Sequence, residues 1–139
     1  MEYFEQKILD DVLAITVNLT RASAPESVEL KKFLNEQIVL GKKNIVVDLS
    51  PSNNLDSTFI GVLVVIHKEL LTKGGELKLV EPQEPAKELF HLTGVARIFN
   101  TYDTTEEAVK SFNNGAVPKE KDKSAFDDKP GKRVEWDFG

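Results

Sequence analysis

The chain has 139 residues, with 18 basic and 23 acidic side chains, a formal net charge of −5 and no cysteine. A single domain is expected at this length. The missing cysteines exclude disulfides, thiolate zinc sites, iron–sulfur clusters and thiol catalysis. The two histidines, His67 and His91, are too few for a multi-histidine metal centre. The acidic balance argues against direct nucleic-acid binding and against a membrane-surface role, both of which need clustered Lys and Arg. The longest apolar run, Ile60–Ile66 broken by Gly61, falls far short of a bilayer span, so no membrane insertion is expected. No basic stretch leads into an apolar one at the N-terminus, so no signal peptide is expected and the cytoplasm is the expected location.

The elements follow in chain order. Tyr3–Ile8 and Val12–Leu19 alternate in polarity around Asp10-Asp11, which predicts a two-stranded hairpin. Ser23-Ala24-Pro25-Glu26 has the spacing of a capping box with proline in the first turn. Leu30, Phe33, Leu34 and Ile38 then keep helical spacing up to a stop at Gly41. The β-branched run in Asn44–Leu49 predicts a central strand covered on both faces. Propensity alone makes Phe59–Ile66 a strand. The cap residues Asp56 and Ser57, and the continuation to a Gly74-Gly75 stop, favour a helix instead. Glu76–Glu81 reads as a strand, Pro85–Leu92 as a short helix stopped at Gly94, and Ala96–Asn100 as a short strand. A final helix begins at Asp103 or Thr104, with Ala108, Val109 and Phe112 on its inner face. The order predicts an α/β fold: a mixed sheet with an N-terminal hairpin, parallel in its later part, packed against about four helices.

Residues 116–139 hold six basic and six acidic positions, so the whole net charge falls on the preceding part. Their few apolar residues lack periodicity, which predicts a domain over 1–113 and a flexible charged tail over 114–139.

Candidate chemistry sits in the polar loop after the 44–49 strand, because sites in open α/β sheets form beyond the C-terminal strand ends. Asp56, Ser57 and Thr58 lie there, at a helix start that offers free N–H groups. On the residues alone, the preferred reading is that Asp56 or Ser57 only caps the helix. Enzyme readings have little support: no base accompanies a serine nucleophile in a recognisable arrangement, and no glycine-rich phosphate loop is present. His67 and His91 read as structural. No catalytic residue, metal or cofactor is expected.

Val46-Val47-Asp48-Leu49-Ser50, five residues, then Leu55-Asp56-Ser57-Thr58-Phe59-Ile60-Gly61-Val62-Leu63 resembles the hallmark of STAS domains, and within them the bacterial anti-sigma-factor antagonists. Ser23-Ala24-Pro25-Glu26, Lys73–Val80, the Leu-Thr-Gly stretch of Leu89–Phe99, and Glu106-Glu107-Ala108 resemble further family segments in the same order. The resemblance spans about residues 3–113. It implies a non-enzymatic partner switch. The unphosphorylated domain binds an anti-sigma factor that is also a serine kinase of the histidine-kinase-like ATPase type. Phosphorylation of the serine after the Asp releases it, and a serine phosphatase restores binding. That position is Ser57, with Thr58 the second choice. The implied partner-binding set is Thr20, Ser23, Asp56, Ser57, Thr58 and Phe59. Three positions depart from the family pattern. Phe59 stands where glycine is usual, and a bulky residue near the helix start is expected either to obstruct a kinase or to add a contact. Thr20 stands where an acidic residue is common. Ser52-Asn53-Asn54 replaces an apolar segment. The alternative expectation is a STAS scaffold or accessory subunit of a transporter or sensory complex, without phosphorylation.

Overall fold

A computed structural model describes residues 3–114. The predicted hairpin forms from β1 (Phe4–Leu9) and β2 (Val12–Val17), paired antiparallel with Leu9 opposite Val12. Its turn uses Asp10 and Asp11 in the left-handed region, at φ 50° and 67°. Asp tolerates that conformation better than most residues. Two-residue β3 (Arg21–Ala22) leads into α1 (Ala24–Val39), then β4 (Asn44–Asp48), two-residue β5 (Asn54–Leu55), α2 (Ser57–Thr72), β6 (Glu76–Val80), α3 (Ala86–Leu92), β7 (Thr101–Tyr102) and α4 (Thr105–Asn114).

The main sheet has the order β1-β2-β4-β6-β7, antiparallel at the hairpin and parallel from β2 onward. Alternation along the strands divides the interior in two. Leu13, Ile15, Ile45, Val47, Leu77 and Leu79 face one way. They pack with Leu30 and Leu34 of α1 and with Phe59, Leu63, Ile66 and Leu70 of α2. Val12, Ala14, Val46 and Val80 face the other way, under Ala108 and Val109 of α4. Strands buried on both faces are apolar throughout, which is why β4 reads as one continuous run.

The expected elements are found with small shifts of boundary, save one. The stretch 96–100 is not a strand. Gly94, at φ 84°, opens a 3-10 turn over Val95–Arg97, and the strand forms only at Thr101–Tyr102. Ile98 and Phe99 look like strand residues because they are apolar, but they are apolar to fill the core: Phe99 is fully buried against the His67 ring. The Gly74-Gly75 stop has a second cause besides helix termination. A Cβ on Gly75 would lie 2.2 Å from the Lys43 carbonyl oxygen, where the chain packs to start β4 and β6 side by side. The α4 helix runs to Asn114, the first residue of the expected 114–139 tail, and the rest of that stretch lies outside the described residues.

Candidate functional site

Backbone hydrogen bonds join the loop after β2 to the loop after β4. The Thr20 carbonyl accepts from Asn53 and Asn54 N–H at 2.9 and 3.2 Å, and the Ala22 carbonyl accepts from Asp56 N–H at 3.1 Å. These contacts make the small parallel β3–β5 pair. Ser52 is fully buried, and its hydroxyl donates to the Leu19 carbonyl at 2.5 Å. The polar departure at 52–54 is therefore a structural seam between the two loops.

That seam sets the starts of α1 and α2 beside each other, and Asp56 joins them. Its Oδ1 accepts from Phe59 N–H at 2.9 Å, the N-cap bond of α2. Its Oδ2 accepts from Ala24 N–H at 3.0 Å, in the first turn of α1. One carboxylate thus satisfies orphan donors of two helices. At α1 itself, Glu26 accepts from both the N–H and the hydroxyl of Ser23, at 3.0 and 2.7 Å. These bonds hold the Glu26 carboxyl below its ordinary pKa.

Ser57 and Thr58 occupy the first turn of α2, both exposed. They face different grooves. Ser57 borders an apolar groove of about 300 Å³ between α2 and α3, together with Leu55, Ile60, Gly61, Ala86, Leu89, Phe90, Thr93 and Val95. Thr58 borders the outer groove between α1 and α2, with Val28, Lys31, Lys32 and Val62. Thr20 is exposed beside the same loops and Ser23 is half-buried. So Thr20, Ser23, Asp56, Ser57 and Thr58 come together at one end of the sheet.

Phe59 does not belong with them at the surface. It is fully buried in the main core, so its side chain is not presented at the surface. As the third residue of α2 it points inward, as Leu63 and Ile66 do, at helical spacing. The groove residues of α3 were missing from the expected set. Among them Leu89 is apolar yet 52% exposed, which only the structure reveals. His67 is buried and its Nδ1 accepts from Leu77 N–H, a structural role. Among the described residues, no cluster of His, Asp and Glu is arranged to hold a metal ion, and no helix is long and apolar enough to cross a membrane.

A mixed sheet opened by a hairpin, with an exposed serine at the start of a capped helix beyond β4, defines a small regulatory domain of the STAS type. The STAS domain model matches residues 3–108, and the chain belongs to that family, alongside the anti-sigma-factor antagonists. A Thermotoga maritima protein named "Putative anti-sigma factor antagonist" is 33% identical over 111 residues, covering 77% of this chain and 95% of that protein. A crystal structure of a protein from the same organism, described as a "putative anti-sigma factor antagonist", superposes with TM-score 0.72 at 32% identity, over 78% of this chain and 92% of the other. SpoIIAA in its unphosphorylated form shares the fold, with TM-score 0.67 at 18% identity over 82% of this chain and 98% of its own.

Proposed function

We propose that this chain acts by partner switching: unphosphorylated, it binds an anti-sigma factor that is also a serine kinase, and phosphorylation of Ser57 releases it. The observation that carries this reading is the setting of Ser57, exposed in the first turn of α2 and on the rim of an apolar groove. A phosphate adds a charge of about −1.5 to −2 and three acceptor oxygens. The positive end of α2 and its free N–H groups accommodate such a group, so the fold survives modification. A partner surface packed over the groove does not accommodate it, because the phosphate must keep its water. Losing about 3 kcal/mol there weakens binding by roughly 100-fold or more, enough for a switch.

Thr58 faces away from this groove, which makes Ser57 the effective acceptor. A serine phosphatase resets the switch, and the domain acts in the cytoplasm without touching nucleic acid or forming a catalytic centre of its own. The test is direct. Ser57→Asp is expected to lose the anti-sigma partner that Ser57→Ala retains, measured by calorimetry with the purified partner kinase. Ser57→Ala should also abolish phosphate incorporation, and Thr58→Ala should leave it. Equal binding by the two Ser57 variants would refute the reading.

A further inference from the structure

We propose that Glu81 is a positioning residue: its buried carboxylate, set between Lys87 and His91, fixes the α3 wall of the groove beside Ser57. The proposal rests on the reading of that groove as the docking face.

Glu81 follows directly on β6, and its N–H donates to the Tyr102 carbonyl at 3.2 Å, so its backbone is part of the sheet. Its side chain is only 4% exposed. Among the described residues neither carboxylate oxygen receives a hydrogen bond. A carboxylate in that position is costly unless cations compensate it. Two basic groups approach it: Lys87 Nζ lies 3.7 Å from Oε1 and His91 Nε2 lies 3.2 Å from Oε2. Both belong to α3, one turn apart, on the same flank of the helix.

That flank is turned away from the groove. Ala86, Leu89, Phe90 and Thr93 border the groove on the other side of α3. The helix has seven residues, too few to hold itself together in water. Its start is tied to the seam, where Gln83 and Ala86 N–H donate to the Ser52 and Asn53 carbonyls at 2.8 and 3.2 Å. Its second half has Phe90 in the core, with Leu89 and Leu92 exposed. Besides Phe90, the contacts of Glu81 with Lys87 and His91 tie this flank of the helix to the sheet, and with it Leu89 on the groove that Ile60 also lines. Were Glu81 merely tolerated where it is, removing its charge would relieve a cost and leave α3 tighter. The positioning role gives the opposite sign.

Amide exchange on the full chain, read by mass spectrometry or NMR, separates the two. Glu81→Gln keeps the shape and removes the charge. The expected result is exchange at least about tenfold faster over Leu89–Thr93, with α1 and β2 unchanged. His91→Gln, at a side chain 35% exposed where loss of the whole fold is not a concern, is expected to act in the same direction. The double variant should show little more than either single one, the mark of a shared interaction. Unchanged or slower exchange in Glu81→Gln, or additive effects of the pair, overturns the proposal. Because no partner enters this measurement, its failure is distinct from failure of the switch, which the Ser57 variants report.

Discussion

Asp56→Ala should destabilise the domain through two helices at once. The Phe59 N–H loses its N-cap acceptor, a loss of about 1 kcal/mol. The Ala24 N–H, half-buried in the seam, is left without its 3.0 Å acceptor, at roughly 1–3 kcal/mol. The sum is about 2–4 kcal/mol, which for a domain near this size lowers the melting temperature by roughly 8–15 °C. Asp56→Asn keeps one carbonyl oxygen for Phe59 but presents its amide to the Ala24 donor, so about half the loss is expected. Thermal unfolding followed by circular dichroism gives the order wild type, Asn, Ala. A fall of less than about 2 °C for Asp56→Ala would refute the double-cap account. So would equal falls for the two variants, because the account assigns each oxygen a separate donor.

Phe59→Gly, which restores the residue usual in the family, should cost about 4–6 kcal/mol through lost core volume and glycine in a helix. The urea midpoint reports it, and an unchanged midpoint would place Phe59 outside the core. Lys78 supplies a pH test. It is buried under α4, its Nζ donates to the Ser111 hydroxyl at 2.7 Å and lies 4.1 Å from the centre of the Phe112 ring. Burial pushes its pKa below the ordinary 10.5. Between its folded and unfolded values the unfolded chain holds more protons, so stability rises with pH across that alkaline window. Burial pushes the Tyr102 hydroxyl above its ordinary 10.0, which opposes the trend beyond that point. Urea unfolding at mildly alkaline pH should therefore show an upward slope that Lys78→Met flattens; an identical slope in the variant would refute the assignment.

The architecture is legible in the sequence wherever periodicity and caps agree. The capping box at Ser23–Glu26 and the cap at Asp56 outweigh the strand-like composition of Phe59–Ile66, and α2 forms there. Tertiary demands are less legible. Ile98 and Phe99 carry strand composition for core reasons, so 96–100 misleads. The β3–β5 pair has two residues on each side and no pattern to read. Within the site, the exposure of Ser57 follows from its place in the first turn, and the inward direction of Phe59 from its helical spacing with Leu63 and Ile66 once α2 is placed on the sheet. The groove is built from α2 and α3, far apart in the chain, and Glu81 is legible only as the last residue of the Glu76–Glu81 strand until its burial is seen.

The two-sided interior has a practical consequence for anything joined to the domain. The helix α4 covers the sheet face opposite α1 and α2, and the chain leaves the described fold at its last residue, Asn114. A fluorophore or affinity handle attached behind that helix starts on the reverse side of the sheet from Ser57.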